Sequence, residues 1–240
     1  MYSALDAEKI IATISRLRVR IDERFPKAGL AGVAGDLLTA ARETEAKAAA
    51  LMRSHRGIQA GVALVIASFL ALVAYAVINI PAPTNTESTN IVQTLEAVAN
   101  LVVLAGVAIV FLVSLQRRVK RQKALRSLHR LRSLTHVIDM HQLTKDPSLV
   151  TGGERDTVSS PKREMTAFEL GRYLDYCSEM LSLSGKVAAL YAQDLDDPVV
   201  VDAVNDIEML ATNLSRKIWQ KIAILQAAAH GHMQAKVMAE

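Results

Sequence analysis

The stretch IQAGVALVIASFLALVAYAVINI, residues 58–80, holds no charged residue, and Gln59, Ser68 and Asn79 are its strongly polar interruptions. Built as a helix it rises roughly 34 Å, against a hydrocarbon core of about 30 Å. A second uncharged run, AVANLVVLAGVAIVFLVSL, occupies 97–115. Buried helices of a soluble core are rarely this long and this apolar on every face. A cleaved signal peptide fits worse, because the first run begins at residue 58 and has no short apolar region behind a basic start. The pair predicts a two-span transmembrane hairpin over 57–116, with spans at 58–80 and 97–115 and a short outer loop at 81–90.

Charge placement orients that hairpin. Arg117, Arg118, Lys120, Arg121, Lys123, Arg126, Arg130 and Arg132 follow the second run with no acid among them. The whole chain has a formal charge of +4, so everything outside this +8 segment sums to −4. Arg42, Lys47, Arg53 and Arg56 precede the first run, while the loop PAPTNTESTN at 81–90 contains no Lys or Arg. Basic flanks stay on the cytoplasmic side, which places both termini in the cytoplasm and the protein in the inner (plasma) membrane. The same eight side chains are positioned to meet anionic lipid headgroups. No aromatic residue interleaves the cluster and no zinc or recognition motif accompanies it, which argues against a nucleic-acid partner.

The remaining segments read as helix throughout. Hydrophobic residues make up 51% of the chain and aromatic residues 4%, an Ala-rich style that suggests a bacterial source. In the N-terminal helices, 1–56, Ile10, Ile14, Leu17 and Ile21 form one stripe that stops at Phe25 and Pro26. A second helix begins near Leu30 and runs through Leu37, Leu38, Ala41 and Leu51 directly into the first span. Beyond the second span, 117–143 is expected to be a basic juxtamembrane stalk helix with Leu125, Leu128, Leu131, Leu134 and Ile138 on one side. Residues 144–165, with Pro147, Gly152, Gly153 and Pro161, break every period and read as a flexible linker.

Residues 166–240 predict an antiparallel helical hairpin with coiled-coil-like seams. Thr166 and Glu169 make a T-x-x-E capping box, followed by Leu170, Leu174, Cys177, Leu181, Ser184, Ala188 and Tyr191 at alternating steps of four and three. Asp197 and Pro198 open the second helix, and Val200, Val204, Ile207, Ala211, Leu214, Ile218, Ile222 and Leu225 continue the pattern. Two such seams exceed what one hairpin can bury. Either the N-terminal helices cover them or a second copy does, so Leu174, Leu181, Ile207, Leu214 and Ile218 are candidate determinants of a homo-oligomer.

Templates for chemistry fail or stay weak. Cys177 is the lone cysteine and lies on an apolar stripe, where a small hydrophobic residue is the ordinary reading. SGKV at 184–187 lacks the upstream glycine and the Ser or Thr of a phosphate loop. His136, Asp139 and His141 include metal-binding types, but on a regular helix His141 lies about 140° around from His136. The paired His230 and His232 flank Gly231 near the C-terminal end, and the acids from Asp194 to Glu208 lack an EF-hand spacing. No cofactor, metal or catalytic set is assigned. The sequence thus points to an all-α membrane scaffold or adaptor that oligomerises and presents a cytoplasmic bundle. An oligomeric channel is the first alternative, although Gln93, Glu96 and Asn100 cluster at one end of the second run, and a membrane-tethered metal-dependent enzyme is the second.

Overall fold

A computed structural model describes residues 4–26, 28–78, 88–147, 158, 165–195 and 197–237, with side chains at all of these except 47–59, 76–77, 88–91, 94, 116 and 230–237. Every regular element among them is a helix: α1 (Ala7–Arg24), α2 (Leu30–Ile78), α3 (Ser88–Leu143), α4 (Ala167–Asp194) and α5 (Pro198–Val237). The expected loop at 81–90 and linker at 144–165 lie largely outside the described residues. The chain divides into two units, one formed by Met1–Ala48 with Lys123–Glu240 and the other by Ala49–Gln122.

The first unit is a helical bundle whose apolar core draws on all five helices. Asp6 starts α1 by accepting the Lys9 N–H at 3.2 Å. Ile10, Ile14, Leu17 and Ile21 are all buried, and the Phe25 N–H closes the last turn onto the Ile21 carbonyl. Pro26, which cannot continue a helix, then releases the chain. The α4 start has both halves of its capping box, Glu169 N–H to Thr166 Oγ1 at 3.2 Å and Thr166 N–H to Glu169 Oε2 at 2.8 Å. Asp197 caps α5 by accepting from Val199 N–H at 3.1 Å and Val200 N–H at 3.4 Å.

Both hairpin seams are buried along their full length, from Leu170 to Tyr191 on α4 and from Val200 to Leu225 on α5. α4 goes further than one stripe, because Tyr173, Tyr176, Met180, Leu183, Val187 and Leu190 are buried as well. It packs against α5 on one side and α1 on another, and so occupies the middle of the bundle. The candidate oligomer residues Leu174, Leu181, Ile207, Leu214 and Ile218 are each at most 5% exposed within a single chain. Of the two covers expected for these seams, the chain's own helices supply one, and this surface is used up before a second copy is added.

The segment expected to be a partly wetted stalk is, from Lys123 onward, a bundle helix. Leu128, Leu131 and Ile138 are buried in the common core together with Ala124, and Leu134 is buried as well. α3 contains the one helical stretch among the described residues long and apolar enough to cross a membrane, Leu95–Leu143, which begins in the second unit. Its most apolar 18-residue window has a mean hydropathy of 2.7 and none of it is buried. The apolar stretch of α2 is shorter among the described residues, Ala60–Tyr75.

Truncating the centre of the α5 seam should therefore unfold the bundle readily. Ile207→Ala is expected to destabilise it by about 2–5 kcal/mol, while Val199→Ala, at a position 43% exposed, should stay within about 0.5 kcal/mol. Urea titration of the detergent-solubilised full chain, followed by helicity, compares the two.

Candidate functional site

Where α1 ends, α2 begins, α3 stops and α4 starts, the bundle leaves a groove of about 770 Å3. Local chemistry pairs several of the backbone groups at these helix ends. The Lys145 N–H closes a short turn onto the Gln142 carbonyl after α3. Lys221 reaches across from α5 and donates from Nζ to the carbonyls of Gln142 at 2.8 Å and Lys145 at 3.2 Å. A cation there satisfies orphan carbonyls and opposes the negative end of the helix dipole. Burial pulls the Lys221 pKa below its ordinary value, against the charges of Asp146 and Asp139, which favour the ammonium.

The groove wall is aromatic. Phe25 meets the Tyr173 ring edge-on at 5.4 Å between centroids and Tyr176 at 6.2 Å. The Tyr173 hydroxyl lies 3.3 Å from His141 Nδ1. Burial raises the Tyr173 phenol pKa well above its usual value, with the neighbouring Cys177 adding to the shift. His141 in turn lies against the backbone between α1 and α2, where a Cβ on Gly29 would come 3.0 Å from His141 Cε1. Lys145 Nζ stands 5.5 Å from the Tyr173 ring centroid and the Arg24 guanidinium 5.7 Å from that of Phe168. Glu169, the carboxylate on the rim, is held below the usual carboxylate range by the Thr166 N–H and hydroxyl, with a smaller contribution from Arg24.

The residues singled out in the sequence are distributed rather than gathered. α3 runs unbroken past Asp139 to Leu143, so His136, Asp139 and His141 diverge: His136 is exposed, Asp139 accepts from Gln142 Nε2 at 2.6 Å, and His141 turns to the groove. Among the described residues no group of three or more His, Cys, Asp and Glu side chains could hold a metal ion. His230 and His232 fall where side chains are not described. Cys177 is fully buried, and burial pushes its thiol pKa up to about 12.

The basic cluster splits between the two units. Arg117, Arg118, Lys120 and Arg121 belong to the second, and Lys123, Arg126, Arg130 and Arg132 to the bundle. Arg130 pairs with Glu43 at 2.8 Å and Arg132 with Asp206 at 3.9 Å. Both pairs are about half exposed, so each contributes at most about 1 kcal/mol. Asp206 belongs to the acidic run at the start of α5, so the contact between that run and the basic segment forms inside one chain.

No family model matches the chain, and neither a curated protein nor a solved structure resembles it. Lys221 caps the end of α3. Removing the ammonium that closes the end of α3 tests it: Lys221→Met should cost about 1–3 kcal/mol by stranding two carbonyls, and Lys217→Met, on the exposed face of the same helix, should cost less than about 0.5 kcal/mol. Equal midpoints in urea would contradict the capping role.

Proposed function

We propose that the chain is a two-span integral protein of the inner (plasma) membrane that acts as a scaffold or adaptor, presenting its helical bundle to partners on the cytoplasmic side. The observation that carries this reading is a buried core in the first unit and an uncovered apolar helix in the second. The bundle buries its own stripes, yet Val102, Val103, Leu104, Val107, Val110 and Phe111 on α3 are each at least half exposed, as are Leu64, Leu70 and Tyr75 on α2. Keeping such a large apolar side chain in water costs about 1.5–3 kcal/mol. A bilayer removes that cost, with the run at 58–80 as the first span, α2 supplying it up to Ile78, and the run at 97–115 on α3 as the second.

The exposed bases Arg117 and Arg118 support the cytoplasmic assignment of both termini and contact with anionic headgroups. Assembly of several copies is part of the proposal and would use the span helices or the bundle surface, since the hairpin seams are occupied within one chain. Gln93, Glu96 and Asn100 are exposed near the start of α3 but give way to wholly apolar sequence at 101–113, which favours a scaffold over a water-filled pore.

Cysteine labelling checks the topology with little native background, because Cys177 is buried and its thiol pKa is about 12. In intact cells an impermeant thiol reagent should label Thr84→Cys, and should reach His129→Cys only after permeabilisation. The reverse pattern would overturn the orientation. The extracted protein should also run at a native mass above that of one 26.1 kDa chain, alone or with co-purifying partners. A strictly monomeric, partner-free species would overturn the scaffold, and ion conduction by the reconstituted assembly would replace it with an oligomeric channel.

A further inference from the structure

We propose that the groove at the meeting of α1, α2, α3 and α4 is a binding site for a small organic anion with an apolar body, an aryl or acyl carboxylate. Its volume of about 770 Å3 lies within the range of about 300–1,000 Å3 typical of small-molecule clefts. Arg24 reaches it from the end of α1 and His141 and Lys145 from the end of α3, against one carboxylate, Glu169. That carboxylate is engaged by Thr166 through its N–H at 2.8 Å and its hydroxyl at 2.9 Å. The Arg24 and Lys145 cations outnumber the one acid, Glu169, in the groove lining.

Two further features point to an amphipathic anion. The C-terminal carbonyls of α3 would repel a negative ligand, but Lys221 already binds those of Gln142 and Lys145. The Lys145 and Arg24 cations stand over the Tyr173 and Phe168 rings, positions from which a carboxylate can draw them into charge-assisted hydrogen bonds. Between them the lining is apolar, with Met140 66% and Val137 37% exposed. An inorganic anion would leave that apolar surface wet. A purely apolar ligand would strip water from cations without pairing them, which is costly. A carboxylate on an aryl or acyl body satisfies both demands. Gly29 helps shape the site, since a side chain there would press on the His141 imidazole.

The test uses the full chain in phosphatidylcholine nanodiscs, titrated by calorimetry with 2-naphthoate, 1-naphthylmethylamine and 2-naphthalenemethanol, with empty nanodiscs subtracted. Naphthoate should bind saturably and at least tenfold more tightly than the amine or the alcohol. Lys145→Gln should weaken naphthoate at least fivefold and Met140→Glu should abolish its binding, at a half-buried and an exposed position respectively, and helicity is expected to persist in both. Lys186→Gln, on the exposed face of α4 away from the groove, should leave affinity unchanged. Equal affinity for naphthoate and the amine, no saturable naphthoate binding, or undiminished binding by Lys145→Gln would each overturn the proposal.

Discussion

The bundle depends on one constraint: α4 must be covered on more than one side. A helix that buries Leu174 and Leu181 on one stripe and Tyr173, Tyr176, Met180 and Val187 beyond it cannot be satisfied by α5 alone. α1 supplies part of the remaining cover, and the bundle portions of α2 and α3 complete the same core. The surface contacts follow from this arrangement rather than causing it. Arg20 reaches Glu179 at 2.7 Å and lies 5.8 Å from the Tyr176 ring centroid because α1 is already packed on α4. Half-exposed ion pairs of this kind set register more than they add stability.

Much of this was legible in the residues. Every residue of the α1, α4 and α5 stripes is buried, and the Thr166–Glu169 box and Asp197–Pro198 start mark helix beginnings where capping chemistry requires them. The continuity of α2 from Leu30 into the apolar run was equally readable, since no breaker interrupts it. What periodicity could not supply was the use of each stripe. Leu128, Leu131 and Ile138 look the same whether they line a stalk or a core, because a helical pattern records that a face is buried and not by what. The second buried face of α4 was hidden for a related reason: tyrosines and Met180 are amphipathic or adaptable side chains, and a narrow seam of Leu and Ala dominates the count.

The groove was almost wholly illegible. Arg24, His141, Lys145, Tyr173 and Lys221 come from separated parts of the chain, and none belongs to a motif with fixed spacing. In the sequence His141 stands near His136 and Asp139, whereas its neighbours in the fold are Tyr173 and the Gly29 backbone. Lys221 was further concealed by its position between Ile218 and Ile222, where a lysine reads as an interruption of an apolar stripe. Its role exists only because the end of α3 is brought beneath α5.

The sequence distances spanned by these contacts set an order of events during synthesis. Arg20 and Glu179 are 159 residues apart, and the Leu5 N–H and Gln193 Oε1 that it meets are 188 apart. At about 5–20 residues per second, α1 waits roughly 10–30 s after leaving the ribosome before the helix it packs on exists. During that interval the stripe of Ile10, Ile14, Leu17 and Ile21 has no permanent cover, while both apolar runs have already been translated. The nascent chain must therefore commit its hydrophobic middle before its two ends can recognise each other, and the window in which it is most prone to aggregate closes only when α4 and α5 have been made.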